Sequence, residues 1–187
     1  MLEQKDLLNF EQAVLPHLDT AYNLARWLTH NAQDAQDVVQ EACLRAFRFF
    51  PGFRGGDPRA WLLRIVRNTC YTWLHTNRPL QDATEFDENV FHPDSEAPNA
   101  EEVLLQNDSG ILVHKALEEL PPNYREVLVL RELEGMSYKQ IAAIMGIPVG
   151  TVMSSLSRAR YRLREVLSDL LNGNTGPSSQ RIEAMSA

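Results

Sequence analysis

A helical pattern near the end of the chain constrains the fold more than any other feature of the sequence. The stretch from Ser137 to Leu163 reads SYKQIAAIMGIPVGTVMSSLSRARYRL. Within it, Ala142, Gly146 and Val152 stand four and six residues apart. A helix-turn-helix needs a small residue where the second helix crosses the first, a glycine for the tight turn, and an apolar residue that packs into the angle. We therefore predict a helix-turn-helix over this stretch.

The second helix of this motif presents a polar face to solvent. We expect Pro148 to begin this helix, with Val152 and Leu156 facing inward. Recognition helices place their outward side chains in the major groove, where arginine reads guanine and serine is tolerant. The outward face carries Met153, Ser154, Ser157, Arg158 and Tyr161. Some helix-turn-helix motifs bind only proteins, so the motif alone leaves DNA and protein ligands open.

The other periodic segments of the chain are helical as well. Apolar residues recur at spacings of three, four and seven over residues 5–30, and a break with a helix cap follows at Asn31–Asp34. A further helix is expected from Pro58 to Asn77. Ser137 and Gln140 have capping-box spacing, and β-type alternation of useful length occurs nowhere. The sequence therefore predicts an all-α protein.

The net charge of −7 conceals segments of opposite charge. Residues 81–109 hold nine acidic residues and no lysine or arginine, together with two prolines. Such a composition is typical of a flexible acidic linker, which is either simply solvated or keeps basic faces apart until a partner arrives. We predict two small helical domains at 1–78 and 101–171, the linker at 79–100, and a disordered tail at 172–187.

Residues 45–78 have the opposite character. They contain seven arginines against one acidic residue, interleaved with seven aromatic residues. This combination suits single-stranded nucleic acid, since guanidinium groups hold phosphates and aromatic rings stack on unpaired bases. Some of the rings must instead face the core, because Trp61 and Ile65 stand one helical turn apart. We assign roughly half of the aromatic residues, Trp61 among them, to the core.

Several classes of protein are excluded by what the sequence does not contain. Cys43 and Cys70 are the only cysteines and lie far apart, which excludes a structural zinc site and a disulfide framework. The five histidines are scattered and form no catalytic motif, so we expect no enzyme activity, cofactor or metal. No stretch approaches the roughly 18 apolar residues of a membrane span. We expect a cytoplasmic protein without a membrane span.

Two blocks of the sequence together resemble a known family. They are DAQDVVQEACLRAF…FRGGDPRAWLLRIVRN over residues 34–68 and LPPNYREVLVLRELEGMSYKQIAAIMGIPVGTVMSSLSRARYRLRE over residues 120–165. In this order and spacing they resemble the extracytoplasmic-function (ECF) sigma factors of bacterial RNA polymerase. The resemblance implies a sigma-2-like bundle followed by a sigma-4-like helix-turn-helix domain. It also implies binding to core polymerase, recognition of the −35 and −10 promoter elements, and opening of the DNA.

The resemblance carries expected roles to individual residues. The positions that match the face docking on the clamp helices of the polymerase β′ subunit are Asp37, Gln40, Glu41 and Arg45. The positions expected to hold the single-stranded −10 element are Arg54, Arg64, Arg67 and Asn68, of which Asn68 matches a contact to an extruded base. The positions expected to contact the duplex −35 element are Arg131, Ser154 and Arg158. Met153 and Ser155 stand where a basic residue is common, which leaves the −35 preference open.

Three other functions compete with promoter recognition. A sigma mimic would keep the two domains but only sequester a regulatory anti-sigma factor, and it would not need the arginines and aromatic residues of 45–78. An ordinary helix-turn-helix repressor would not need the first domain. An enzyme would need the catalytic motifs that the chain lacks. Family membership also implies an anti-sigma partner that holds the two domains together and covers both DNA-binding faces.

Overall fold

The computed structural model describes residues 4–77 and 108–172 of the chain. The acidic linker expected at 79–100 and all but the first residue of the expected tail lie outside the described residues. Within the described residues every regular element is helical, and strands are absent, which confirms the all-α prediction. The helices form two groups, one on each side of the undescribed segment.

The first group contains four helices joined by short turns. They are α1 Gln4–Val14, α2 Leu18–Thr29, α3 Ala32–Phe49 and α4 Pro58–Asn77. Pro16 lies in a 3-10 turn that separates α1 from α2. The Asn31 side chain accepts a hydrogen bond from the Asp34 amide at 3.0 Å and caps α3 as predicted. The observed bounds of α4 are those expected from its sequence.

Helix α4 is the centre of the first group and packs against both α2 and α3. Its inward face supplies Leu62, Leu63 and Val66, which have no exposed surface, and Leu24 of α2 is equally buried. Trp61 is half-buried and packs against this core, as predicted. The centroid of its ring lies 4.9 Å from that of the Phe53 ring. This contact packs the loop between α3 and α4 against the core.

The second group contains the helix-turn-helix. Its helices are α5 Asp108–Glu118, α6 Pro122–Leu128, α7 Tyr138–Met145 and α8 Val149–Leu171, with a π-helical turn at Val129–Leu133 after α6. Ser137 and Gln140 form the predicted capping box at the start of α7. Gly146 ends α7 with φ of 69°, and α8 leaves at an angle of 99°. Pro148 is the N-cap of α8, so the helix begins at Val149, one residue later than predicted.

The two groups pack against each other into one continuous core. Helix α4 of the first group lies against α7 of the second, and α2 lies against α6. In the part of the chain that the structure describes, no single helix is long and apolar enough to span a membrane, and only the sharply bent pair of α7 and α8 meets the length and composition criteria. This packing brings the loop before α4 and one side of α4 next to the helix-turn-helix.

Candidate nucleic-acid interface

The side chains expected to bind core polymerase share one face of α3. Asp37, Gln40 and Glu41 are exposed, and Arg45 is half-buried. Arg45 Nε donates to Glu41 Oε1 at 2.8 Å, one helical turn away. Burial of Val38 and Ala42 on the opposite side fixes the orientation of this face. The helix therefore presents a polar surface that is not used for packing.

An apolar groove borders this polar face. It lies between α2 and α3 and is lined by Leu18, Asp19, Tyr22, Val39, Gln40, Cys43 and Leu44. Leu44 is 67% exposed and adds apolar surface at the edge of this groove. Burial raises the pKa of the Cys43 thiol, which therefore stays protonated at neutral pH. The face of α3 therefore combines apolar area with charge, as the surfaces of separable protein partners commonly do.

Three of the four predicted −10 residues are exposed. Arg54 lies in the loop before α4, and Arg64 and Asn68 lie one turn apart on α4. Among the described residues, neither the Arg54 nor the Arg64 guanidinium has a hydrogen-bond or ion-pair partner. Both guanidinium groups are free to bind a phosphate.

The loop that carries Arg54 is held at the start of α4. Gly55 and Gly56 have φ of 86° and 107°, a region that other residues adopt only with strain. Asp57 Oδ1 accepts hydrogen bonds from the Arg59 and Ala60 amides at 2.9 and 3.2 Å. Burial by itself would raise the pKa of Asp57, but these bonds and one from Gln140 of α7 lower it below the ordinary value. The charged carboxylate therefore caps α4 and contacts the second group.

Arg67, the fourth predicted −10 residue, lies differently. Its Nε donates to Oε1 of Glu126 in α6, and the Tyr71 hydroxyl donates to Oε2 of the same carboxylate at 2.9 Å. The Arg67 guanidinium also lies over the Tyr71 ring, 4.6 Å from its centroid. Glu126 has no exposed surface, and its burial raises the pKa of its carboxyl group, which Arg67 and Tyr71 counteract. Arg67 is thus already paired with a carboxylate of the second group.

Glu134 of the second group forms a similar ion pair with another arginine of α4. Arg59 Nη2 donates to Glu134 Oε2 at 3.0 Å and to the Glu134 carbonyl oxygen at 2.9 Å. The Asn23 amide of α2 donates to Glu134 Oε1 at 3.4 Å. Two carboxylates of the second group therefore hold two arginines of α4.

A buried arginine joins the two groups at α2. Arg125 is 5% exposed and donates to the carbonyl oxygens of Leu117, Glu118 and Leu120 at 2.8, 2.7 and 2.7 Å. The carbonyls of Leu117 and Glu118 lie at the C-terminal end of α5, where a cation is favourable, and Leu120 follows in the next turn of the chain. Arg125 Nη1 also donates to His30 Nε2, which requires His30 to be neutral.

Acidification is expected to weaken the folded structure through His30. Its burial, and next the nearby Arg125, lower the pKa of His30 to about 4 from 6.5, against an opposing effect of Glu118 and with smaller contributions from Arg26 and His114. As the pH falls, the imidazole is protonated in the unfolded chain before it is protonated in the folded chain. The contribution of neutral His30 to the free energy of unfolding is therefore complete above about pH 6.5 and is lost as the pH falls towards 4. Urea unfolding followed at several pH values across this window measures the loss.

The matched variant for this measurement is His30→Asn. His30 ends α2 with φ of 57°, a conformation that asparagine tolerates. The variant should show a shallower dependence of unfolding free energy on pH than the natural chain. Equal slopes in the two proteins would show that His30 does not govern this pH dependence.

The outward face of α8 is exposed as predicted. Ser154 and Arg158 are both exposed, and Met153 and Tyr161 are 53% and 60% exposed. Arg158 lines a shallow depression with Tyr124, Ser157, Tyr161 and Arg162. Burial of Val152 and Leu156 on the inward side sets this orientation.

Arg131, the remaining predicted −35 residue, contacts the chain at the start of α7. Its Nη1 donates to the Met136 carbonyl oxygen at 2.8 Å, and its guanidinium lies 4.9 Å from the centroid of the Tyr138 ring. The neighbouring Glu132 accepts from Arg160 of α8 at 2.6 Å. Arg131 remains half-exposed beside the helix-turn-helix.

Sequence reasoning missed the polar residues between the two groups. They are His30, Arg59, Tyr71, Arg125, Glu126 and Glu134. The local signal is weak, since Arg125 and Glu126 stand directly before the apolar run Val127–Leu130 rather than inside it. Charged residues at the edge of an apolar segment are mostly exposed, so this position by itself does not indicate a buried pair.

Comparisons with known proteins agree with this architecture. Residues 13–79 match the family model of sigma-70 region 2, and residues 111–163 match that of sigma-70 region 4. The chain is 36% identical over 177 residues to the RNA polymerase sigma-H factor of Pseudomonas aeruginosa, covering 91% of this chain and 92% of that protein. It is 37% identical over 145 residues to the ECF RNA polymerase sigma-E factor of Escherichia coli, covering 74% of this chain and 76% of that protein.

A solved structure shares the fold. The sigma factor RpoE of Bartonella quintana, crystallised in complex with the anti-sigma factor NepR, matches with a TM-score of 0.65 and 32% identity. The match covers 86% of this chain and 97% of that one.

Proposed function

The chain belongs to the extracytoplasmic-function sigma factors of bacterial RNA polymerase, and from this membership we propose that it directs core polymerase to promoters with −35 and −10 elements. Its general role is that of a sigma factor in transcription initiation. The specific steps are assigned to the surfaces described above. The observation that carries the proposal is the presence, on one chain, of an exposed recognition helix and of a separate exposed cluster at Arg54, Arg64 and Asn68.

Core polymerase binds to the polar face of α3 in this proposal. Asp37, Gln40, Glu41 and Arg45 contact the clamp helices of the β′ subunit. Support comes from their exposure and from the apolar groove that continues this surface. A polar rim beside a small apolar area is typical of partners that must separate again.

The −35 element binds to α8 in the major groove. Arg158 reads base edges, and Ser154 makes a less selective contact. Arg131 binds a phosphate at the edge of the motif. Support comes from the observed helix-turn-helix geometry and from the exposure of the outward face. Because Met153 and Ser155 add no charge, attraction to duplex DNA that is independent of sequence is weak.

The −10 element binds as a separated strand along the loop and α4. Arg54, Arg64 and Arg67 hold phosphates, and the Asn68 amide pairs with the edge of an extruded base. Binding of the extruded strand recovers part of the energy spent on unpairing the duplex. DNA opening then needs no nucleotide hydrolysis by this chain.

An anti-sigma factor is the regulatory partner in this proposal. The related Bartonella quintana sigma factor was crystallised with its anti-sigma factor, and this chain matches it across both helical groups. The anti-sigma factor binds the chain with its two groups together and covers both DNA-binding faces.

Reconstitution with bacterial core polymerase tests the proposed function. Run-off transcription on genomic DNA should give discrete start sites, and permanganate should detect unpaired thymines in the −10 region. Core binding without any transcript would instead support a sigma mimic. Absence of core binding would contradict the proposal.

A further inference from the structure

The contact between the two helical groups uses the residues that the −10 strand needs. Arg59, Leu63, Arg67 and Tyr71 recur at every fourth position of α4 and so lie along one side of the helix. This side faces the second group, where Glu134 holds Arg59 and Glu126 holds Arg67. Arg64 and Asn68 lie on the adjoining, exposed side. The proposed DNA-binding surface therefore runs directly into the contact between the groups.

Carboxylate and phosphate compete for the same donor groups of arginine. Both are anions that accept charge-assisted hydrogen bonds from the planar guanidinium. Arg67 is 22% exposed in its side chain, and its Nε is occupied by Glu126, which has no exposed surface. A DNA phosphate cannot replace this carboxylate unless the second group moves away.

The ion pairs themselves add little resistance to such a movement. Separation returns the Glu126 carboxylate to water, which removes the cost of its burial, and frees Arg67 to bind another anion. Buried ion pairs contribute little net stability, because desolvation offsets most of the Coulomb attraction. The raised pKa of Glu126 is in line with this offset. A partner that binds the separated form better can shift the population towards it.

We propose that Glu126 and Glu134 act as internal substitutes for DNA phosphates, which hold the free chain closed and keep Arg67 from the −10 strand until the two groups separate. The inference rests on the proposed function of Arg67 as a −10 contact. It differs from regulation by an anti-sigma factor, because the closing contacts all belong to this chain. The closed and open forms should differ in the distance between the two groups and in their affinity for single-stranded DNA.

The variants Glu126→Gln and Glu134→Gln in the full chain test the proposal. Each removes one negative charge from the contact while keeping the side-chain size. The matched control is Glu132→Gln, which removes a charge from the same turn, where Glu132 is 50% exposed and pairs with Arg160 of its own group. If Glu126→Gln fails to fold because its side chain is fully buried, Glu134→Gln still tests the proposal. Circular dichroism measures the helix content of each protein.

Two measurements distinguish the forms. Spin labels at Arg48→Cys and Ser168→Cys, in a Cys43→Ser background, report the distance between the groups by pulsed electron resonance. Fluorescence anisotropy reports binding of a single-stranded oligonucleotide with the non-template −10 sequence mapped by run-off transcription. We expect both test variants to populate longer distances and to bind the strand at least about fivefold more tightly. A fivefold larger fraction of the open form lowers the apparent Kd by the same factor. The control should match the natural chain.

Unchanged distances in both test variants would overturn the proposal. If the natural chain initiates transcription, longer distances in the test variants without tighter strand binding would overturn it as well. Failure of the proposed function is a separate result, because it would appear as absent transcription with core polymerase. The distance measurement does not depend on it.

Discussion

Replacement of Arg125 by alanine is expected to lower the free energy of unfolding by about 3–5 kcal/mol. The guanidinium is almost fully buried and satisfies the carbonyl oxygens of Leu117, Glu118 and Leu120. Alanine leaves these oxygens in the core without donors and removes the contact to His30. Burial lowers the pKa of Arg125 to about 10, so the group stays charged and contributes fully at neutral pH. Urea unfolding of the two proteins at pH 7.5 measures the difference.

The control for this prediction is Arg164→Ala on α8. Arg164 is exposed and makes one long hydrogen bond, to the Arg160 carbonyl oxygen at 3.3 Å. Its replacement should change stability by less than about 0.5 kcal/mol. A loss below about 1 kcal/mol for Arg125→Ala would contradict the prediction, since it would mean that water replaces the guanidinium at the three carbonyls. Arg125→Lys should be intermediate, because an ammonium group does not match the fork of arginine donors.

The double variant Arg54→Ala/Arg64→Ala is expected to reduce promoter opening by roughly tenfold or more while binding of core polymerase is retained. Both guanidinium groups are exposed and lack partners among the described residues, so their loss should leave the fold intact. Each phosphate contact to a single strand contributes about 0.7 to the slope of log affinity against log salt, so the slope should fall by about 1.4. Permanganate reactivity of the −10 region measures opening, and strand binding at several salt concentrations measures the slope.

Arg48→Ala is the matched control for the double variant. Arg48 is an exposed arginine near the end of α3 that no proposed contact uses. It should leave both opening and the salt slope unchanged. Equal losses of opening and of core binding in Arg54→Ala/Arg64→Ala would contradict a DNA role and indicate damage to the first group.

Features set by neighbours in sequence were predictable. Ser137 and Gln140 form a capping box three residues apart, and Asn31 caps α3 through Asp34 at the same separation. Gly146 adopts the positive φ that the turn of the helix-turn-helix requires. The exposure of Ser154 and Arg158 followed from the burial of Val152 and Leu156 on the opposite side of the same helix. Helix periodicity alone fixes these relations.

Partners far apart in sequence were not predictable. Arg67 and Arg64 are both arginines on α4 within an interval rich in arginine, and the sequence placed both in the −10 surface. The structure leaves Arg64 exposed and pairs Arg67 with Glu126, 59 residues away. The difference depends on which side of α4 meets the second group. That side is set by how α4 lies against α7 and how α2 lies against α6, a relation that no local pattern contains.

The sequence by itself thus determined the helical class, the helix-turn-helix, the caps and the polar faces of α3 and α8, because each depends on side chains within a few turns of one helix. Only the tertiary structure decided that the buried charges Arg125 and Glu126 join the two helical groups through His30, Arg67 and Tyr71. A charge in a low-dielectric interior must find an opposite charge or hydrogen-bond partners there, and packing decides which groups are within reach.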